Sequence, residues 1–284
     1  MSIITLTTDY GLKDHFVGSL KGKILAVYPA ATIVDISHDV DPFNAAEASY
    51  IIGSAYSSFP KGTVHLIGVD AERNKENQHL AMKWNDHYFI CADNGIFGLL
   101  TEKIVPEKVV MINIHDRLPN DATDLDVFVT VACHIAQGGL LNVIGKDISE
   151  IKQPTELKPV ISSDNSMIKG YVIYIDHFGN LVVNITKKMF AEIGKGRPYE
   201  ILLHEKMIQG DRGNIKKIRE RYSDAATSEN FPIKDYEGAK VAIFNEAGYL
   251  EIALFRSNPY TFGTAATLLG IGYRDVVSIQ FYTE

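Results

Sequence analysis

Short apolar runs alternate with amphipathic stretches through the first half of the chain. Runs rich in β-branched residues that end at turn residues predict buried strands, and apolar positions three and four apart predict helices. Helical spacing covers residues 14–25, up to Pro29, then 44–57 and Asp126 to Leu141. Alternating strands and helices indicate a mostly parallel sheet covered on both faces. We therefore predict an N-terminal α/β domain over residues 1–155.

The pattern changes after a Pro-containing polar stretch near residues 150–165. Short strand-like runs then follow one another, with one helical interval at Lys187–Ile193. Thr186 is its predicted N-cap, and Gly194 follows its predicted end. This pattern predicts a smaller all-β C-terminal barrel over residues 156–284. The predicted strands span 168–175, 181–185, 199–203, 240–244, 250–254 and 276–281.

Several predicted strands lead directly into an aspartate. These residues are Asp9, Asp35, Asp70, Asp93 and Asp176. The carboxyl ends of strands in open parallel sheets line the ligand crevice, where a carboxylate can bind hydroxyls, a cation or a cationic substrate. Aspartate is also a favoured turn and cap residue, and that interpretation stays open for each of them.

Composition narrows the classes of function. A formal net charge of -7 argues against a broad nucleic-acid surface, and we interpret the basic stretch Arg212 to Arg221 as a solvated hairpin. The sequence shows no signal peptide and no apolar run of membrane-spanning length. Cys91 and Cys133 are predicted to be buried free thiols in a cytoplasmic protein. No His or Cys pair has metal-ligand spacing, so we expect no metal cofactor.

Two further features carry candidate chemistry. The run IDHFGN, which ends at Asn180, places Phe178 in a predicted hairpin turn, where an exposed aromatic ring suggests a stacking partner. The turn itself requires no ligand, so a purely structural role stays open. His134 lies in an apolar helix, where it is either a satisfied core residue or, beside an aspartate, a polarised base.

Motifs along nearly the whole chain resemble the S-adenosyl-L-methionine hydrolase (adenosine-forming) family, to which fluorinating and chlorinating enzymes are related. They occur in the family's order. The motifs are TTDYG at 7–11, VDISHDVDPFNAAEASYII at 34–52, the strand ending at Asp70, DNG at 93–95, ACHIAQG at 132–138, IDHFGN at 175–180 and NEAGYLEIA at 245–253.

The resemblance implies a homotrimer with its sites between subunits, and attack of activated water on the ribose C5′ of S-adenosyl-L-methionine. Adenosine and methionine would be the products, with no metal and no cofactor beyond this substrate. A sulfonium is a good leaving group, so the protein mainly has to align a desolvated nucleophile.

The resemblance also implies roles for individual residues. Asp70 and His134 match two members of the family's water-activating Asp–Arg–His set. The family's arginine position holds Asn77 here, so Arg73 on the same loop is the provisional third member, or else a solvated loop residue. The residues implied to bind substrate are Asp9 and Phe43 at the ribose, Asp176, Phe178 and Asn180 at the methionine or adenine portion, and Asn245 and Glu246 at the adenine edge.

Two alternatives stay open beside the hydrolase. The altered loop after Asp70 would permit a protein that binds adenosine or S-adenosyl-L-methionine without turnover. A halide-using relative is disfavoured, because the negative charge of Asp70 would repel a halide in a dry site. Asp35 and Asp93 are interpreted as structural residues.

Overall fold

The computed structural model describes residues 2–101, 104–153, 158–203, 214–226 and 232–282. The chain divides into two compact units, Met1–Thr155 and Glu156–Glu284. Each unit is built on its own sheet and encloses its own apolar core.

The first unit contains a seven-stranded sheet in the order β2-β1-β3-β5-β4-β6-β7. β1 pairs in parallel with β2 and β3, and β3 with β5, whereas β4, β6 and β7 are antiparallel to their neighbours. The strands are β1 (Ile3–Thr8), β2 (Thr32–Ser37), β3 (Val64–Gly68), β4 (His79–Trp84), β5 (His87–Ala92), β6 (Lys108–Ile112) and β7 (Gly145–Asp147).

The sheet is therefore mixed, which corrects the prediction of a mostly parallel sheet. β4 and β5 are joined by only Asn85 and Asp86, whose φ angles are 51° and 64°. Two consecutive left-handed residues form the tight hairpin turn that matches the twist of paired strands. A connection this short forces β4 and β5 to be antiparallel.

Helices cover both faces of this sheet and bury two clusters of apolar side chains. The predicted helix from Asp126 to Leu141 divides, because the chain turns at Gly138 with a φ of 88°. The helices are α1 (Phe16–Val27), α2 (Ala45–Ala55), α3 (Ile96–Leu100), α4 (Asp124–Ala136) and α5 (Leu141–Ile144).

Asp35 lies within β2 and not at its end, which corrects the strand-end prediction for this residue. Its Oδ2 accepts a hydrogen bond from Lys21 Nζ at 2.6 Å, and its Oδ1 lies 3.1 Å from His38 Nε2. Burial opposes ionisation, but the contacts from Lys21 and His38 lower the pKa of Asp35. These contacts support the structural interpretation of this carboxylate.

The second unit contains an eight-stranded sheet in the order β11-β15-β9-β10-β14-β13-β12, with β8 added to β9. Its pairs are antiparallel except for β12 with β13. The strands are β8 (Val160–Ile161), β9 (Met167–Ile175), β10 (Leu181–Thr186), β11 (Tyr199–Leu202), β12 (Ile218–Arg219), β13 (Lys240–Phe244), β14 (Tyr249–Leu254) and β15 (Val276–Phe281).

The prediction of an all-β barrel is met only in part. In the described residues, the outer strands β11 and β12 are not paired with each other, although a bridge joins Ile201 to Ile215. The described part of the unit also carries the helices α6 (Lys187–Gly194) and α7 (Ala265–Leu269). α6 has the predicted cap, since Thr186 Oγ1 accepts a hydrogen bond from Met189 N–H at 3.2 Å, but it extends through Gly194.

Three other sequence predictions concern the basic stretch, the two cysteines and membrane-spanning segments. The basic stretch Arg212 to Arg221 starts outside the described residues. In its described part, Ile215 forms an antiparallel bridge with Ile201, and β12 pairs in parallel with β13, so the predicted hairpin stays a prediction. Cys91 and Cys133 are buried free thiols, as predicted. Among the described residues, no helix combines the length and apolarity needed to cross a membrane.

Candidate active site

The carboxylate of Asp9 connects three separate segments of the first unit. Asp9 follows β1, and its Oδ2 accepts hydrogen bonds from the backbone N–H of Phe43 at 3.1 Å and of Asp70 at 3.2 Å. Hydrogen bonds to a charged acceptor are stronger than those between neutral groups. The fold therefore brings together Asp9, Phe43 and Asp70 at the carboxyl ends of β1 and β3.

Phe43 and Asp70 both have left-handed backbones, with φ angles of 63° and 43°. This conformation costs a residue other than glycine about 1–2 kcal/mol. Phe43 is also 74% exposed, so its own packing does not compensate for that cost. Strained backbone and an exposed aromatic ring beside a carboxylate are typical of a ligand site.

Tyr10 lies in the same region and was not among the predicted site residues. Burial, assisted by Asp9 and Asp124, raises its pKa to about 12, so the phenol stays protonated and can donate a hydrogen bond. A Cβ at Gly68 would lie 3.1 Å from Tyr10 Oη. The absence of a side chain at Gly68 therefore leaves space for the phenol. The motif TTDYG contained this residue, but nothing in the motif distinguished it from a packing aromatic.

The loop after Asp70 is held by its own contacts. The backbone N–H of Arg73 donates to Asp124 Oδ2 at 3.0 Å, and Arg73 Nε donates to Gln78 Oε1 at 3.3 Å. Asn77 Oδ1 accepts a hydrogen bond from Lys152 Nζ at 3.0 Å. Arg73 is thus an exposed loop residue whose side chain is bonded within the loop and whose backbone is bonded to Asp124 of α4. Asn77 contacts Lys152, in a different segment of the first unit.

Two histidines that sequence reasoning missed lie beside this loop. His79 Nε2 is 3.0 Å from the carbonyl oxygen of Ala71 and 3.7 Å from Asp124 Oδ1. His115 Nε2 is 3.3 Å from His79 Nδ1. Their positions in the sequence carry no motif, and only the antiparallel pairing of β4 with β6 brings them together.

The contacts of His134 lie near the end of its own helix, and its predicted role in water activation stays a prediction. His134 is near the C-terminal end of α4, about 15 Å along the axis from Asp124 at a rise of about 1.5 Å per residue. Its neighbour Cys133 lies at the C-terminal half of α1, with Sγ 3.8 Å from the oxygen of Ile24. His134 Nε2 lies 3.2 Å from the carbonyl oxygen of Leu140.

Asp93 and Asn94 stabilise the edge of the sheet near Asp70. Asp93 Oδ1 accepts a hydrogen bond from Lys152 N–H at 2.9 Å, and Asn94 Nδ2 donates to the oxygen of Val69 at 2.9 Å. These contacts support the structural interpretation of Asp93.

In the second unit, Asp176 organises the turn between β9 and β10. Its Oδ1 accepts hydrogen bonds from the backbone N–H of Phe178 at 2.9 Å and of Asn180 at 2.8 Å, and its Oδ2 accepts one from Asn180 Nδ2 at 2.9 Å. An aspartate that bonds the backbone two residues on is a recognised turn former. Asp176 therefore has the structural role that the sequence left open, and it fixes the two other predicted residues of this turn.

The turn presents Phe178 to solvent. Phe178 is 59% exposed, and the next residue, Gly179, has a φ of 73°. A Cβ at Gly179 would lie 2.3 Å from Thr264 Cβ, so the backbone here packs directly against the N-cap of α7. Only glycine permits this close packing against Thr264, and the packing holds the turn in place although the neighbouring ring of Phe178 is exposed.

Asn245 lies close to a buried carboxylate, Glu251 of β14, which was not predicted. Asn245 Nδ2 donates to Glu251 Oε2 at 3.2 Å, and Tyr222 Oη donates to Glu251 Oε1 at 2.5 Å. Burial raises the pKa of Glu251 despite these hydrogen bonds and a further one from Asn180. Glu251 thus connects two predicted substrate residues, whereas Glu246 is exposed in the adjoining turn.

No cluster of three or more His, Cys, Asp or Glu side chains suited to a metal ion occurs in the described parts of either unit.

Comparison with known proteins gives matches over almost the whole chain. Residues 4–145 match the SAM hydroxide adenosyltransferase N-terminal domain, and residues 170–278 match the corresponding C-terminal domain. A relative named (R)-S-adenosyl-L-methionine hydrolase from Methanocaldococcus jannaschii is 28% identical, with 99% of this chain and 97% of the relative covered.

Other relatives have related names. A protein from Thermus thermophilus, also named (R)-S-adenosyl-L-methionine hydrolase, is 24% identical over 95% of this chain and 96% of its own length. A protein from Nocardia brasiliensis named fluorinase is 23% identical over 88% of this chain and 89% of its own.

A solved structure of an uncharacterized conserved protein from Thermotoga maritima has a TM-score of 0.79 and 26% identity. The match covers 99% of this chain and 100% of that one. Both halves of the chain therefore carry the features of one family, and the protein belongs to the SAM hydroxide adenosyltransferase family.

Proposed function

We propose that this protein hydrolyses S-adenosyl-L-methionine to adenosine and L-methionine. The observation that carries the proposal is the family match across both units, combined with the Asp9–Phe43–Asp70 cluster in the first unit. The two relatives named above as hydrolases are similar over nearly their full length.

The acidic edge of the first sheet suits this substrate. S-adenosyl-L-methionine carries a sulfonium cation, which a carboxylate such as Asp70 attracts more strongly in a poorly solvated site. Asp70 would also accept a hydrogen bond from the attacking water and orient its oxygen toward C5′. Such alignment can supply much of the rate acceleration when the leaving group is already good.

Asp9 is the proposed contact for the ribose hydroxyls. Its Oδ2 already accepts two backbone N–H groups, so the ribose grip would use Oδ1 and not both oxygens. A carboxylate oxygen has two lone-pair directions, enough for two vicinal hydroxyls. Phe43 would pack against the sugar, and Arg73 remains a proposed loop contact near the reacting atoms.

In the proposed trimer, the turn residues of a neighbouring subunit's second unit are proposed to contact the rest of the substrate. Phe178 offers an exposed ring for stacking, held by Asp176 and Gly179. Asn180 and Asn245 have amide groups fixed by Asp176 and Glu251, which favours recognition of a polar heterocycle edge. Glu246 is proposed to lie at the same edge.

Assembly as a homotrimer and a cytoplasmic location are further parts of the proposal, and both rest on the sequence predictions. Light scattering coupled to size-exclusion chromatography would measure the oligomeric state. A monomer at the concentrations used for activity would contradict the trimer.

Product analysis tests the proposed reaction. The purified protein would be incubated with S-adenosyl-L-methionine in halide-free buffer, and separately with chloride or fluoride, before chromatography. We expect equimolar adenosine and methionine in the halide-free, chloride and fluoride incubations. A 5′-halo-5′-deoxyadenosine would support the halide-using alternative, and tight binding of unchanged substrate would support the binding protein.

The fluorinase relatives make halide use the second candidate. The position of Asp70 argues against it, since a fixed negative charge disfavours a halide ion at the same point. An Asp70→Ser variant provides a direct comparison, because it removes the charge and keeps a small polar side chain. Halide incorporation that appears only in this variant would support the hydrolase assignment of the natural sequence.

A further inference from the structure

His79 and His115 form a pair of imidazoles beside the loop that follows Asp70. His79 is the first residue of β4 and is fully buried, whereas His115 is half-buried in a short 3-10 turn after β6. The nearest ring nitrogens are 3.3 Å apart and the ring centroids 5.4 Å apart. Neither residue has a role in the site as described so far.

The contacts of His79 fix the protonation pattern of the pair. Its Nε2 lies 3.0 Å from the carbonyl oxygen of Ala71, which can only accept, so Nε2 carries the hydrogen. In the neutral ring Nδ1 is then an acceptor, and the hydrogen toward it must come from His115 Nε2. The lone pair of the neutral His115 is therefore on its Nδ1.

The charges around the pair favour a neutral resting state. Burial lowers the pKa of both imidazoles, and Arg73 lowers that of His115 further. Asp124, whose Oδ1 is 3.7 Å from His79 Nε2, and Asp116 act in the opposite direction. The Phe128 ring covers His79 at a centroid distance of 4.5 Å.

One hydrogen bond, from His79 to the oxygen of Ala71, connects the pair to the loop after Asp70. Ala71, whose oxygen binds His79, directly follows Asp70. The N–H of Arg73 donates to Asp124, the same carboxylate that lies near His79. The loop after Asp70 is thus anchored at Ala71 by His79 and at Arg73 by Asp124.

We infer that His115 accepts the proton which water loses during attack, and that His79 is a positioning residue that orients His115 and holds the Asp70 loop. The inference rests on the proposed hydrolysis. The water oxygen bonds to C5′, the C5′–S bond breaks with its electron pair going to sulfur, and one water proton moves to Nδ1 of His115. The imidazolium then releases that proton to solvent through its half-exposed side.

Single-turnover kinetics as a function of pH test this assignment, because they report the chemical step apart from product release. Loss of a general base lowers the rate by about 10²–10⁴-fold, and we expect His115→Gln to fall in that range with little change in substrate affinity. His87→Gln is the matched control, since His87 forms a similar pair with His65 at 3.2 Å elsewhere in the unit.

Two substitutions at His79 separate orientation of His115 from loop anchoring. His79→Gln keeps a donor for Ala71 but loses the acceptor at Nδ1, whereas His79→Asn keeps an acceptor there and loses the donor. We expect His79→Gln to move the acid limb of the rate profile to lower pH and His79→Asn to keep its position. The opposite pattern would show that His79 only anchors the loop.

Long-range proton–nitrogen NMR spectra of the unliganded protein provide a readout that does not depend on turnover. Both rings should show the Nε2–H tautomer at neutral pH, and an Nδ1–H tautomer of His115 would overturn the inference. If the wild-type protein hydrolyses the substrate and His115→Gln does so at the same rate, the inference fails alone. If the wild type does not hydrolyse it, the proposed function fails as well.

Discussion

The Oδ2 atom of Asp9 accepts the backbone N–H of Asp70 at 3.2 Å, although sixty-one positions separate these residues in the sequence. The same oxygen binds the N–H of Phe43, so one carboxylate holds two left-handed residues. Asp9 is consequently both a proposed ligand contact and a structural support for the residues beside it.

Replacement of Asp9 should affect stability as well as activity. Asp9→Ala leaves two backbone donors without their carboxylate, and hydrogen bonds to charged groups contribute about 1.5–3 kcal/mol each. Because Asp9 is only half-buried, water can partly replace it, and we expect a loss of about 2 kcal/mol in all. Urea denaturation measures this change. Asp9→Asn, which keeps one acceptor oxygen, should lose less stability than Asp9→Ala. Equal losses would show that the hydrogen bonds accepted by Asp9 do not stabilise the fold.

Phe43→Gly should increase stability and weaken substrate binding. Glycine removes a left-handed penalty of about 1–2 kcal/mol but adds about 0.5–1 kcal/mol of unfolded-state entropy, so the net gain is below about 1.5 kcal/mol. The exposed ring contributes little packing in the free protein. Thermal unfolding and calorimetric titration would measure the two effects. Phe43→Ala is the control, since it removes the ring and keeps the strained backbone.

Stability should fall as the pH decreases below about 6.5 toward 3 because of His65. Burial and the neighbouring His87 lower the pKa of His65 from 6.5 to about 3, so the unfolded chain binds a proton that the folded chain does not. The stabilisation is present above the unfolded pKa and is lost progressively below it.

His65→Gln should reduce the slope of the free energy of unfolding against pH. The expected reduction corresponds to about one bound proton, or about 1.4 kcal/mol per pH unit within that interval. Denaturation at several pH values measures the slope. His15→Gln changes an exposed histidine and is the control. An unchanged slope in His65→Gln would show that other groups dominate the acid sensitivity.

Glu251→Gln should weaken ligand binding more than it weakens the fold. Tyr222 and Asn245 donate to different oxygens of the carboxylate, and in the amide one of these positions becomes an NH2 group that cannot accept a hydrogen bond. We expect a loss of affinity of about tenfold, equivalent to about 1.4 kcal/mol. Calorimetric titration with adenosine would measure it, and Glu246→Gln in the exposed turn is the matched control. Equal affinities for Glu251→Gln and wild type would exclude a positioning role for Glu251.

The sequence by itself determined most local elements, because their signals are short-range. β-Branched runs located β1, β3 and β10, and Thr186 marked the start of α6 through a cap that involves only the next turn of the chain. Asp9 and Asp70 were identified because strand ends at the carboxyl edge of a parallel sheet have a known relation to ligands.

Only the tertiary structure decided which of these residues meet. Helical periodicity placed His134 on α4 but could not show which end of the helix faces Asp70, because direction depends on how α4 packs against α1. His79 and His115 had no motif at all, and they become neighbours through the antiparallel pairing of β4 with β6. Pairing of distant strands is a property of the whole sheet, so residue order alone could not place an imidazole pair beside Asp70.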